Sequence, residues 1–543
     1  MKYRIFESEN YKQIQDDYQL PSLVSKIIDQ KGFDEFQLKT ILNPRIIYHD
    51  FSLFIESEMA IERIEEAIEM NEKICIYGDY DCDGILATTI LVQAFLKRGV
   101  QVGYHIPHRY EDGYGLNVTR VEQMAEKGYS LIITVDNGIK AFEAVERANE
   151  LGIDVIITDH HEFEDDTPDA CAIIHTKLSP DYPFKEISGG FVAYKLAVAL
   201  LGKQDKYLYS LAAITTVSDM MPMLDENRSL VKKALEFMNE SKYPSLELLI
   251  GDIQKYDVTA LGYTIAPKIN SFGRLPEIVH PNNLVKYFLE GCPRDFMVKI
   301  ADSANKINNK RQSLTNQQYT LALKEHNDLF LYYGSKDVHE GIVGLIAGKY
   351  TREYELPSFV MHYDEESGVY KGSARSVEGF SLHDFFSCHN DCLLTWGGHS
   401  MAGGFSLKEE HYDAFKKQIN DALKDCILES YQDVLLIDNY DLSLGQIESL
   451  SLLEPFGMKN ESPLFLLKNV PVERIYTLGE GKHLKMDILY PNVKLNALGF
   501  FKGNLYESLK DLKHVDLVGT LSINEFRNTK TIQIMIKDIN PVL

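Results

Sequence analysis

Three short apolar runs in this chain each end in carboxylate or imidazole, and that repetition constrains the fold more than any other feature. Ile74–Tyr77 runs into Gly78-Asp79-Tyr80-Asp81-Cys82-Asp83-Gly84, Leu131–Val135 into Asp136-Asn137-Gly138, and Val155–Thr158 into Asp159-His160-His161-Glu162. Further runs at Gln101–Ile106 and Ala172–Ile174, with helical stretches such as Ile85–Lys97 and Ala141–Leu151 between them, make strand alternate with helix. Such alternation predicts an α/β fold with a parallel, doubly wound sheet. In that architecture the carboxyl ends of the strands line the ligand crevice, so the three clusters are expected to converge. Clustered carboxylates repel one another unless cations lie between them.

Carboxylates with one or two imidazoles and no thiolate suit manganese or magnesium before zinc or copper. This many ligands fits two ions. A pair about 3.5–4 Å apart can hold a bridging water as hydroxide and clamp a phosphoryl oxygen, so phosphoester hydrolysis is the favoured chemistry. Each motif taken alone reads as helix capping, where Asp after a strand is common. Asp-x-Asp-x-Asp-Gly also suggests a calcium loop, but a strand precedes it and the later bidentate Glu is missing. It is the three together that point to metal. Cys388-His389-x-x-Cys392 has no second ligand pair of matching kind, which argues against zinc there.

Residues 1–70 read as a mostly helical N-terminal segment packing on the catalytic domain, with a break at Pro44 and an amphipathic run from Glu58 to Asn71. The α/β catalytic domain then spans 71–295. Val298–His326, rich in charge, Asn and Gln, reads as a long connecting helix placed at 296–327. Alternation resumes in a second α/β unit, 328–430, with strands at Leu329–Tyr333 and Pro357–His362 and a helix at Gly341–Tyr354. From 431 to 543 strands dominate, at Leu464–Leu467, His483–Leu489, Lys494–Phe500, Val515–Ile523 and Thr531–Ile536, which suggests a small closed β-barrel of OB-fold type.

With 56 Lys+Arg against 80 Asp+Glu the net charge is −24, so any polyanion must be met by a local basic groove. No stretch approaches the roughly 18 apolar residues of a membrane span, and the opening residues lack an apolar signal core. Seven scattered cysteines fit a reducing compartment. A cytoplasmic protein without membrane association is expected.

The motifs Gly78–Gly84, Val135–Gly138 and Asp159–His161 resemble those of the DHH phosphoesterases, and within them the RecJ family of bacterial 5′-end, single-strand-specific DNA exonucleases. The resemblance extends over nearly the whole chain. It includes Ile106-Pro107-His108-Arg109-Tyr110-Glu111-Asp112-Gly113-Tyr114-Gly115, Thr216-Val217-Ser218-Asp219, Asn270-Ser271-Phe272-Gly273-Arg274, Gly372-Ser373-Ala374-Arg375-Ser376, and the glycine-rich Gly397-Gly398-His399-Ser400 with Gly403-Gly404. It implies that Asp81, Asp136 and Asp219 hold one Mn2+ or Mg2+, with Asp79 nearby, and that Asp83, Asp136 and His160 hold the other. Asp159 and His161 then stand behind the ligands or against the phosphate. Arg274 and His399 are the candidates for stabilising charge on the scissile phosphate. Arg109, Ser373 and Arg375 resemble a pocket for the terminal 5′-phosphate. In the barrel, bases are expected to stack on aromatics such as Phe465, Phe500, Phe501 and Phe526, unless these are core. The family further implies a monomer acting on single-stranded DNA alongside single-strand binding protein and a helicase.

Two departures bear on substrate preference. His175-Thr176 stands where the family usually has Asn-Pro, and Gly189-Gly190-Phe191-Val192 where it has Gly-x-Gly. Two other readings also remain open. One is a DHH phosphodiesterase acting on short oligonucleotides or other small phosphate substrates, against which the third, C-terminal barrel argues. The other is a non-catalytic scaffold, against which the full ligand set argues.

Overall fold

The computed structural model describes residues 2–541 apart from Pro44, Glu164, Asp165, Gln254, Asp425, Glu429, Ser430, Asn439, Pro491, Asn492, Arg527 and Asn528. The break expected at Pro44 and the Phe526 side chain lie outside what is described. The chain divides into two compact units, His49–Met221 with Lys233–Ser430, and Met1–Tyr48 with Pro222–Lys232 and Tyr431–Leu543. Among the described residues no helix is long and apolar enough to cross a membrane.

In the larger unit the first sheet has the order Gly103–His105, Ile74–Tyr77, Leu131–Val135, Asp154–Thr158, Ala172–Ile174, with every pairing parallel. The chain steps to one side of Ile74–Tyr77 and then back to the other, which puts the topological switch point where Asp79 and Asp136 leave their strands. The helix after the first strand begins at Cys82, three residues before the expected Ile85, because Asp81 caps it by accepting the Gly84 N–H at 3.0 Å. Every residue from Cys82 to Phe95 is buried, which explains its unbroken apolar character. The connecting helix, Arg294–Ala322, starts earlier than the expected 298 and spans about 44 Å at 1.5 Å per residue.

It leads to a second sheet ordered Thr395–Gly398, Ala402–Lys408, Val369–Arg375, Ser358–Asp364, Leu331–Ser335. Only the last two strands are parallel neighbours. Phe359, Phe385, Phe405 and Phe415 meet ring to ring in the core beneath it.

The smaller unit corrects the reading of the N-terminus. Lys2–Phe6 is a strand, paired in parallel with Tyr431–Leu436, and residues up to Tyr48 group with the C-terminal region. Only the part from His49 on, including helix Ser57–Glu69, belongs to the unit of the catalytic domain. The reason is a local signal too short to show its partner: Lys-Tyr-Arg-Ile-Phe is itself the edge strand of a sheet, added to a strand more than four hundred residues away, with Arg4 clasping Asp433 through two hydrogen bonds.

Strands Phe465–Leu478, His483–Tyr490, Val493–Gly499, Thr529–Pro541 and His514–Phe526 pair successively, and the last pairs back to Phe465–Leu478. Phe465 is fully buried and belongs to this unit's core, so it is not a stacking platform. Phe500 and Phe501 are 55% and 80% exposed, each edge-on to His483.

Candidate active site

The strand ends bring the acids together. Asp83, 1% exposed, accepts the Gly189 and Gly190 N–H groups at 2.8 and 2.7 Å. The N-terminus of helix Gly189–Leu201 thus meets its charge. Glycine is required at 189 because a Cβ there would lie 2.5 Å from Asp136 Oδ1. Asp136 has φ 63°, a left-handed conformation uncommon outside glycine and Asn/Asp and often found where function demands strain. Asp159, 1% exposed, accepts N–H groups of Ile139, His160 and His161 at 3.0, 2.8 and 3.2 Å and bonds His161 Nδ1 at 2.7 Å.

His160 Nε2 lies 3.1 Å from Asp136 Oδ1, 3.6 Å from Asp219 Oδ2 and 3.7 Å from Asp83 Oδ2. Ligand atoms of Asp79, Asp81 and Asp136 lie within 4.8 Å of one another, as do those of Asp83, His160 and Asp219 and those of Asp136, His160 and His161. All six expected ligands are therefore in one cluster. Asp219 lies with Asp83 and His160 in one of these groups, and both Asp83 and Asp81 act on its carboxyl. Helix Lys206–Ser218 packs on helix Cys82–Lys97, and its C-terminal end delivers Asp219 beside Asp83.

The electrostatics follow from crowding. Burial first, and the neighbouring carboxylates second, hold Asp79, Asp136 and Asp219 well above the ordinary carboxylate value. Asp83 is pushed up to about 7 for the same reasons. Burial, then His161, lowers His160 to about 3, so its ring is neutral and free to act as a ligand. His161 is raised to about 9, burial being outweighed by its bond to Asp159. Among the described residues the buried atoms Asp79 Oδ1, Asp136 Oδ1 and His160 Nε2 have no partner in hydrogen-bond geometry, the last two lying 3.1 Å apart without forming one, a costly state that bound cations would relieve. The Cys82 thiol is driven up by burial and is no competing ligand. This oxygen-rich donor set fits Mn2+ or Mg2+. Since only the folded chain offers it, saturation with Mn2+ at about 100 times Kd is expected to add about 2.7 kcal/mol of stability. The check is a rise in thermal midpoint that EDTA reverses.

A cavity of about 650 Å³ borders the cluster at Asp81 and is lined by Arg109, Arg274, Ser373 and Arg375. Arg109 stacks on the Tyr80 ring at 5.0 Å. Arg375 Nη1 donates to Ser373 Oγ at 2.8 Å. Arg274 is lowered to about 10, by burial first and then by Arg109, Arg311 and Arg375. Arg311, held on Asn308 Oδ1 at 3.1 and 2.8 Å, was not singled out in the sequence, where nothing distinguishes it from other charges of the connecting helix. Among the described residues none of these four guanidinium groups forms an ion pair. Tyr114, also not anticipated, places its hydroxyl 3.1 Å from His161 Nε2.

His399 stands apart from this lining, exposed at the turn between Thr395–Gly398 and Ala402–Lys408. Its electrostatic link to the site is through Glu162, next to His161, whose carboxyl is held below its ordinary value by Lys177 first and to a smaller degree by His399. His175 is fully buried behind the loop, with Nε2 3.0 Å from the His161 carbonyl.

Family models match residues 73–218 (DHH family, N-terminal domain), 327–425 (DHHA1 domain) and 435–538 (RecJ OB domain). The single-stranded-DNA-specific exonuclease RecJ of Bacillus subtilis is 35% identical over 98% of this chain and 70% of the relative. The Haemophilus influenzae protein of the same name is 30% identical over 93% of both. The structure of Thermus thermophilus RecJ in complex with Mn2+ superposes with a TM-score of 0.83 at 26% identity, covering 100% of this chain and 80% of that one. Strand-end carboxylates, a guanidinium-lined cleft and relatives that match nearly all of this chain agree, and the chain belongs to the RecJ family of exonucleases.

Proposed function

We propose that the protein is a metal-dependent exonuclease that removes nucleotides from the 5′ end of single-stranded DNA. The observation that carries this reading is that buried metal-ligand atoms with no hydrogen-bond partner among the described residues border, at Asp81, a cleft lined by the guanidinium groups of Arg109, Arg274 and Arg375, which form no ion pair among the described residues. Its relatives carry the name of single-stranded-DNA-specific exonuclease, and Thermus thermophilus RecJ has been seen with Mn2+ and with Mg2+. Two divalent cations held by Asp79, Asp81, Asp83, Asp136, His160 and Asp219 would polarise the scissile phosphodiester and acidify the attacking water.

The chain's own groups do the rest. Arg109 and Arg375 present planar forks, and Ser373 a hydroxyl, to the terminal phosphate. A terminal monoester carries more negative charge than an internal diester, so this cluster selects ends. Arg274 and His399 stand where charge grows on the scissile phosphate. His161, oriented by Asp159 through Nδ1, sets its Nε2 3.1 Å from the Tyr114 hydroxyl. Phe500 and Phe501, flanked by Lys482 and Lys502, offer the smaller unit a means of stacking unpaired bases.

The decisive assay is incubation with Mn2+ and a 3′-labelled, 5′-phosphorylated single strand, beside its duplex and a 5′-blocked strand. Stepwise shortening of the free single strand alone is expected. Cleavage confined to dinucleotides or polyphosphate would instead assign the small-substrate reading, and no cleavage at all would assign the scaffold.

A further inference from the structure

A second cavity, of about 200 Å³, meets the metal cluster at His161, whereas the guanidinium cleft meets it at Asp81. Its wall is Tyr114, Asp159, His161 and the turn Gly138–Ala141. The Asp159 carboxylate is already engaged by three N–H groups and the His161 ring, so what the wall has left to offer is donors. These are the Lys140 ammonium, the first N–H groups of helix Phe142–Glu150, whose N-cap Ala141 supplies no side-chain acceptor, and the Tyr114 hydroxyl, which rests 3.1 Å from His161 Nε2 and 3.5 Å from the Asp136 carbonyl and would turn from them to a phosphate. Lys140 is exposed and forms no ion pair among the described residues. Beside it Phe142 is 44% exposed, and Tyr114 52%. A free cation among exposed rings is the pattern that holds a single strand by phosphate and base together.

We propose that this cavity is the subsite for the phosphodiester one step to the 3′ side of the bond being cut, with Lys140 and Tyr114 holding the phosphate and Phe142 under the adjoining base. The proposal rests on the exonuclease reading above. With the terminal phosphate among Arg109, Ser373 and Arg375 and the second phosphate at the metal cluster, the third reaches the cavity at His161. The space takes a phosphodiester but not a nucleotide, which leaves the base outside, where Phe142 is exposed.

The test compares a 5′-phosphorylated dinucleotide, which has no third phosphate, with the corresponding trinucleotide, both with Mn2+ and the full-length enzyme. The unsubstituted enzyme is expected to favour the trinucleotide about tenfold in kcat/KM, mainly through KM, the value of one moderate contact. Lys140→Ala and Phe142→Ala should each bring that ratio toward one without lowering the thermal midpoint. Lys203→Ala, on an exposed turn after helix Gly189–Leu201, should keep it. Equal kcat/KM for the two substrates with the unsubstituted enzyme, or an unchanged ratio in both variants, would overturn the subsite alone. Release of no mononucleotide from either substrate would overturn the exonuclease reading and the subsite with it.

Discussion

Asp136→Asn is expected to lower strand-degrading turnover about 10⁴-fold, equivalent to about 5 kcal/mol of lost transition-state stabilisation. Asp136 stands in two of the three ligand groups, so its loss weakens both at once. The substitution is chosen because Asn has the same shape and tolerates the left-handed φ that Asp136 adopts. Misfolding would therefore not explain the loss. The metal-free variant should in fact melt higher than the parent, because one of the mutually repelling buried carboxylates is gone, and Mn2+ should no longer raise its thermal midpoint. Turnover within tenfold of the parent would remove Asp136 from the metal centre.

The second large effect is expected at the strand's end. The unsubstituted enzyme should prefer a 5′-phosphorylated over a 5′-hydroxyl strand by about 100-fold in kcat/KM, about 2.7 kcal/mol, as suits charge-assisted and forked hydrogen bonds. Arg375→Ala should remove most of that preference, acting on the phosphorylated strand and sparing the hydroxyl one. Arg375→Lys should recover only part, since an ammonium restores the charge but not the two-pronged geometry. Equal degradation of the two strands by the unsubstituted enzyme would show that the guanidinium cluster does not read the terminal phosphate.

Where the chain's own neighbours determine structure, the sequence is a good guide. Ile74–Tyr77 and Leu131–Val135 are strands over those residues, because fully buried parallel strands are written as unbroken apolar runs. The same rule makes Asp79, Asp136 and Asp159 visible, each being the first carboxylate after such a run or one residue beyond it. Legibility fails where the partner is remote or the geometry irregular. Leu464–Leu467 ends in the reading at Lys468-Asn469, yet the strand continues to Leu478 because its pairing shifts register there, with Asn469 at φ 52°. Arg311 and Tyr114 acquire meaning only from what the fold sets beside them. The place of Asp219 in the cluster is likewise set by helix packing, which brings it beside Asp83.

The unpaired carboxylates and unpaired guanidinium groups share Asp81 as a border, and this dictates an order of events. On the reading proposed above, a phosphate chain entering before the cations meets the crowded carboxylates where its second phosphate would sit, and would be gripped only at its end. Cations entering first turn that repulsion into attraction. Affinity for DNA and affinity for metal are therefore two readings of one coupling free energy, and each ligand must tighten the other by the same factor. On the same reading, strand ends are expected to be held weakly and left uncut when metal is scarce.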